Sequence, residues 1–401
     1  MGTYLNPGKD AYQEAISSEI FIDKSEMIQC LNSVVKTNQK YVSVSLPRRF
    51  GKTMAADMIC AYYDKGAKSR ELFENTKLAL CDPIQTRVND IYWDTYLGKF
   101  NVIKLVMTDF FKPGTTVSNS LNTITASILD ELSEAYPDVK YDPDHLSYSM
   151  DRFHRTTGTP FVVVIDEWDA IFRTHKEDTA GQTKYLAFLR NMMKDKTYIA
   201  LAYMTGILPI KKTGNQAGLN MFTECSMAAP RQFASFIGFT EEEVKGLCTE
   251  CHMDYQEISN WYNGYSFTDW IPSYGAEAYM TGAYQAHKIS IYNPLSIVES
   301  MATGKIQNYW NYTETQKMLS EYIRKDFDGL KDAIALLIDG GQVVINTSTF
   351  QNDMTTFRYR DDVLTFLVHL GYLGYDDEKS AVFIPNREIL DAFKASIHSP
   401  E

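Results

Sequence analysis

At 401 residues the chain is too long for one compact core, and 44% hydrophobic with 22% charged residues excludes a disordered or fibrous protein. A formal charge of −12 excludes a chain that grips nucleic acid over its whole surface and leaves only a local basic patch for that role. The first ten residues form no signal sequence, no apolar run approaches the ~20 residues that span a bilayer, and six scattered cysteines follow no disulfide spacing. A cytoplasmic protein with reduced thiols and no membrane partner is expected.

In chain order, Ala11–Ile20 reads as a helix, and a second helix starts from about Ser25. Tyr41–Ser45 reads as a strand, Pro47 and Gly51 break it, and a helix begins near Lys52 and runs through MAADMICAYYD. Asn101–Thr108 is a strand candidate. Val117–Ala135 is an amphipathic helix with Leu121, Ile124, Ile128 and Leu132 on one face. A helix around His145–Thr156 leads to a strand from Phe161. Thr183–Met193 is helical, and Thr197–Met204 is a buried strand ending in Thr205-Gly206. Near-continuous apolar strands alternating with helices predict an α/β fold with a parallel sheet covered on both faces. Right-handed crossovers bring all strand C-termini to one edge, where ligands of such sheets bind. Gly51–Thr53, Asp166–Glu167 and Thr205 all fall there.

The residue types at that edge suit nucleotide phosphates. Pro47, Arg48, Arg49, Phe50, Gly51, Lys52, Thr53 and Met54 form the candidate nucleotide-binding stretch, ending in the Gly-Lys-Thr of a phosphate loop. Lys52 at a helix N-terminus would reach the terminal phosphates, and Thr53 would give its hydroxyl to magnesium. A leucine, Leu46, stands where the first glycine is usual, and Pro47 removes a backbone donor. Arg48 and Arg49 either compensate by pairing with phosphate or form salt bridges to neighbouring carboxylates. Asp166 would hold magnesium, and Glu167 would activate the attacking water, with Lys52 the second catalytic residue. Asp169 is either a further site carboxylate or, as its position after the strand favours, a helix cap. Thr205 is either a γ-phosphate sensor or a plain strand-ending hydroxyl, and Arg231 is a second sensor candidate. Cys248-Thr-Glu-Cys251-His252 matches a haem-attachment motif or half a zinc site, but further ligands are missing and helical cysteines are expected.

Beyond about Phe233 the pattern changes. Thr240 and Glu243 make a capping box, Asn293-Pro294 starts a helix, and Leu319–Gly340 reads as helical. QVVIN is a short strand, Asp361–Gly371 a helix, and GYLGYDDEKSAVFIPN a hairpin with Asp376–Lys379 at its tip. A helix followed by a hairpin suggests a winged-helix unit. From Ser320 to Glu401 eight Lys/Arg stand against fourteen Asp/Glu, a net of −6, which favours a structural or protein-contact role over DNA binding.

The motifs LPRRFGKT (Leu46–Thr53), FIDKS (Phe21–Ser25), Val163–Ile171, GFTEEEV, WYNGYSF, YNPLSI and IPNREI occur in an order that resembles the bacterial AAA-ATPase-like proteins. The resemblance covers nearly the whole chain. It implies a P-loop NTPase core of the AAA/ASCE type, a helical lid and a winged-helix-like region, with ATP and Mg2+ as cofactors. Domains are expected at 1–232, 233–318 and 319–401. Phe21 and Asp23 would lie near the adenine end of the nucleotide. Many such proteins continue into a nuclease-like domain, which is expected to be absent here since the chain stops at Glu401. The expected function is an ATP-binding, magnesium-dependent ATPase acting as a conformational switch. The alternatives are a non-hydrolysing ATP-binding regulatory module or a nucleic-acid-binding adaptor. A protein partner or a second copy of the chain is compatible with each.

Overall fold

The structure is a computed structural model and describes residues 2–86, 89–210, 218–271, 285–310, 327–350 and 357–398. It contains two compact units: Met1–Ser45 with Lys52–Cys225, and Leu46–Gly51 with Ser226–Glu401.

The first unit is built on β1 (Tyr41–Ser45), β2 (Asn101–Val106), β3 (Phe161–Asp166), β4 (Ile199–Gly206) and β5 (Thr223–Ser226), in the spatial order β2-β3-β4-β1-β5. The pairs β2–β3, β3–β4 and β4–β1 are parallel. Every residue of β1, β3 and β4 is buried, as apolar strands covered on both faces require. The helix Lys52–Tyr63 packs on β3, and the helices Val117–Ala135 and Thr179–Met193 pack on one another. Val117–Ala135 has its expected bounds, with the Thr116 hydroxyl accepting the Asn119 N–H at its start.

Several boundaries differ from expectation. The first helix stops at Ile16, where the Ser17 hydroxyl turns back onto the Gln13 carbonyl at 2.8 Å. β2 ends at Val106, and Met107–Phe110 is a helical turn. β4 starts at Ile199 rather than Thr197 and ends in Thr205-Gly206 as expected, with Gly206 opposite Ser45 of β1. The N-terminal segment lies along β2: Leu5 bridges Ile103, and the Glu131 carboxylate accepts the backbone N–H groups of Thr3 and Leu5 at 2.8 and 2.6 Å. This covers an edge strand that would otherwise offer unpaired backbone groups.

The second unit holds two antiparallel three-stranded sheets. One orders β6 (Phe239–Thr240), β7 (Tyr265–Ile271) and β8 (Gln285–Tyr292) as β6-β8-β7. The other orders β9 (Val343–Val344), β10 (Gly374–Asp376) and β11 (Ala381–Phe383) as β10-β11-β9. The capping box on Glu241–Glu250, the helices Pro294–Thr303 and Arg360–His369, and the terminal hairpin are as expected. Of the helix expected over Leu319–Gly340, Leu330–Ile338 is helical, and residues 319–326 lie outside the described residues.

Three of the quoted motifs meet in this unit. Glu388 of IPNREI is fully buried, and its carboxylate accepts from the Ser296 hydroxyl of YNPLSI at 2.7 Å and the Tyr309 and Trp310 N–H groups at 2.6 and 3.0 Å. Asn386 donates to the Tyr262 carbonyl of WYNGYSF at 3.2 Å. These polar groups pair a buried charge with donors, the condition under which such burial is tolerated.

His369 is buried against the Phe350 ring, and its Nδ1 has no hydrogen-bond partner among the described residues. Burial pushes it down to about 4 from its ordinary 6.5. As pH falls from 6.5 towards 4 the unfolded chain takes up a proton that the folded chain refuses. The second unit should therefore lose about 3 kcal/mol across that window. Urea midpoints at several pH values check this. The His369→Leu variant should show a shallower acid decline, and an unchanged decline would count against it.

Among the described residues no helix is long and apolar enough to cross a membrane.

Candidate functional site

The site in the first unit starts from strand order. β4 lies between β1 and β3, so the strand leading to Lys52 and the strand ending in Asp166 are about 10 Å apart, two strand spacings. Thr205 at the end of β4 fills the interval. Its hydroxyl donates to Asp166 Oδ1, while the Thr53 hydroxyl donates to Asp166 Oδ2 at 2.8 Å. Asp166 is buried, and these two hydroxyls satisfy it. The expected magnesium ligands Thr53 and Asp166 are thus in direct contact, and Thr205 belongs to the same cluster.

Glu167 follows in a left-handed conformation, with φ 53. Non-glycine residues rarely sit there, and such strain concentrates at functional positions. Its N–H donates to Asp166 Oδ1 at 3.0 Å, and the next N–H, of Trp168, donates to the Thr205 carbonyl at 2.9 Å. The Glu167 turn is therefore tied to the end of β4. Gly206 permits this closeness, since a Cβ there would meet the Trp168 ring at 2.6 Å.

Asp169 departs from the cap role. It stands at the start of Ala170–Thr174, but its side chain caps nothing. The carboxylate, fully buried, accepts the Ile207 and Leu208 N–H groups at 3.2 and 3.1 Å and the Arg173 guanidinium at 2.9 Å. The chain that leaves β4 supplies donors closer than those of the helix start. Arg173 also donates to Glu167 Oε2 at 2.5 Å. It was not foreseen among the site residues; the available signal was a basic residue one helical turn after Asp169.

Lys52 opens its helix almost fully buried. Burial pushes its ammonium down to about 8, against the opposing pull of Asp169, Asp166 and Glu167. At neutral pH it remains largely protonated. Met54 follows, half-buried in the same helix.

The loop Leu46–Gly51 groups with the second unit. Pro47 and Phe50 are buried, Arg48 and Arg49 exposed. Phe50 stands edge-on to Tyr265 at 5.9 Å, and a Cβ on Gly371 would meet Pro47 at 2.9 Å. Left-handed φ values fall on Arg49 (67) and Gly51 (82), not on Leu46, so the missing first glycine costs no backbone strain.

Phe21 and Asp23 lie in a segment without regular structure. Phe21 packs edge-on to Tyr12 at 6.4 Å, and Asp23 accepts the Ser25 and Lys77 N–H groups at 2.8 and 2.7 Å. Cys248 is buried in its helix, and among the described residues no cluster of His, Cys, Asp or Glu is arranged to hold a metal by itself. The Asp166 carboxylate with the Thr53 hydroxyl is instead the hard oxygen pair that magnesium takes together with phosphate oxygens.

Residues 8–215 match the family described as AAA-ATPase-like, predicted AAA-ATPase. An uncharacterized protein encoded in the vnfD 5′ region of Azotobacter chroococcum mcd 1 is 24% identical over 176 residues. That match covers 42% of this chain and 30% of the relative, under a third of the relative's length. Among solved structures, a Walker-type ATPase of Pyrococcus abyssi aligns with TM-score 0.41 and 12% identity, over 94% of this chain and 96% of that one. The Aeropyrum pernix ORC2 protein, solved as ADPNP-ADP complexes, aligns with TM-score 0.35 and 10% identity, over 95% and 96%.

Proposed function

We propose that this chain, which belongs to the predicted AAA-ATPase-like family, hydrolyses ATP with magnesium and uses the cycle as a conformational switch. The observation that carries this reading is Asp166 held between the Thr53 and Thr205 hydroxyls, with Glu167 next to it on a strained turn. In this reading Lys52 binds the terminal phosphates, and the Pro47–Met54 stretch surrounds the rest of the phosphate chain. Thr53 and Asp166 hold magnesium, which when bound neutralises phosphate charge. Glu167 orients the attacking water and takes its proton, and Thr205 reports the γ-phosphate to Asp166. Phe21 and Asp23 border the adenine end. The ATPase core spans 1–232, with a lid that combines helices and the β6-β8-β7 sheet over 233–318 and a winged-helix-like region over 319–401.

Turnover of ATP by wild type and Glu167→Gln tests this. The substitution should lower kcat about 100-fold or more while ATP still binds. A wild type with no turnover above background would remove hydrolysis and leave a regulatory module that binds ATP without consuming it.

For the C-terminal region we propose a protein-contact role, with a protein partner or a second copy as the occupant. The acids at the hairpin tip already have partners: Asp377 accepts from the Thr268 hydroxyl at 3.1 Å, and Glu378 pairs with Lys288 at 3.1 Å. Duplex DNA binding that weakens steeply with salt would overturn this.

A further inference from the structure

Asp169, Arg173 and Glu167 form a chain of charges in which only the last member is half-exposed. Asp169 is fully buried, Arg173 is 17% exposed, and Glu167 is 36% exposed. Asp169 is immobilised by the Ile207 and Leu208 N–H groups on one oxygen and by Arg173 Nη1 on the other. The guanidinium plane is thereby set, and its second nitrogen reaches Glu167 Oε2. A planar fork fixes direction in a way that a single ammonium cannot. With Oε2 engaged, Glu167 has Oε1 left to accept a proton. The donors that hold Asp169 sit just beyond Thr205 on the chain leaving β4, so the fork is referenced to the strand that also bonds Asp166.

We propose that Arg173 is the positioning residue of the ATPase site: anchored on Asp169, it aims the Glu167 carboxylate at the water that attacks ATP. This rests on the assignment of Glu167 as the base under the proposed function. Arg173 touches neither nucleotide nor water in this role and acts through Glu167 alone. Without it, the Glu167 side chain would face two neighbouring carboxylates, Asp166 and Asp169, and turn away from them or towards Lys52. A misaimed base loses rate without losing substrate affinity.

The experiment measures steady-state ATP turnover with magnesium in the full chain for wild type, Arg173→Ala, Arg173→Lys, Glu167→Gln and the Glu167→Gln/Arg173→Ala double variant. Arg173→Ala should lower kcat about 100-fold with KM for ATP within about threefold of wild type. Arg173→Lys, which keeps the charge opposite buried Asp169 but cannot fork, should lose about tenfold with an unchanged melting curve. It carries the test where the alanine variant fails to fold. The double variant should match Glu167→Gln within about twofold, because a residue acting through Glu167 adds nothing once Glu167 is gone. A KM rise without a kcat fall would make Arg173 a nucleotide ligand and overturn the positioning role. Wild-type rates in both Arg173 variants, or faster ones, would overturn it while leaving Glu167 as the base. A wild type no faster than Glu167→Gln would defeat the hydrolase reading and this inference with it.

Discussion

The Lys52→Ala protein is expected to lose the stabilisation that ATP and magnesium confer while being no less stable than wild type without nucleotide. ATP a hundredfold above its Kd stabilises a folded site by about 2.7 kcal/mol, a melting shift of roughly 5–10 °C. Under the proposed function Lys52 supplies the buried positive charge for the phosphates, so the shift should vanish in the variant. In the nucleotide-free protein the same ammonium is a burden. Its depression to about 8 shows that burial outweighs the attraction of Asp169, Asp166 and Glu167. That difference corresponds to on the order of 3 kcal/mol at neutral pH. The sign with pH follows. Between about 8 and 10.5 the unfolded chain still binds the Lys52 proton and the folded chain does not, so wild-type stability should rise across that window. The variant should lack this rise. Differential scanning fluorimetry with and without ATP and magnesium, from pH 7 to 10, reads all three effects. An equal ATP shift in both proteins would show that Lys52 does not hold the phosphates.

Gly264→Ala should be the most damaging single substitution in the second unit. Gly264 has φ 153, and a Cβ there would lie 1.5 Å from the Pro385 carbonyl oxygen. Backbone atoms cannot swing aside as a flexible side chain does, so the segments must separate. Overpacking and backbone strain together suggest a loss of about 3–5 kcal/mol. Gly329→Ala is the control. It also has positive φ, 73, but its Cβ would face open space, so it should cost about 1–2 kcal/mol. Urea unfolding of both variants decides the matter. Equal losses would mean that conformation, not contact with Pro385, makes glycine necessary.

The strands of the candidate site were legible because their chemistry is local. Asp166 closes a short apolar run and Lys52 opens the helix that follows another, and the alternation of strands with helices predicts that both reach the same edge. Thr205 was visible as a strand end but ambiguous, since its role depends on β4 lying next to β3, a pairing across 39 residues. Arg173 and the true partners of Asp169 were not legible. Their bonds run to the chain beyond β4, and no period or spacing announces such a contact. The β7–β8 pair was missed for a related reason: Tyr265–Ile271 follows directly on the turn-rich Asn263-Gly264, whose composition masked the strand beginning beside it. The motifs around Tyr262, Ser296 and Glu388 were recognisable as text, yet their common burial required three distant segments to be brought together.

The order β3-β4-β1 also has a consequence for biosynthesis. Parallel strands gain nothing from a neighbour that has not yet been made, and β4 is the last of the three to leave the ribosome. A nascent chain exposing residues up to Asp166 carries β1 and β3, two strands that share no ladder with each other. Only when Ile199–Gly206 emerges can β1 and β3 be joined in one sheet, and Thr205 arrives in the same step. Joining β1 to β3 and bringing Thr205 to Asp166 are then one event, late in synthesis of the first unit, when its exposed apolar strands are most open to chaperones.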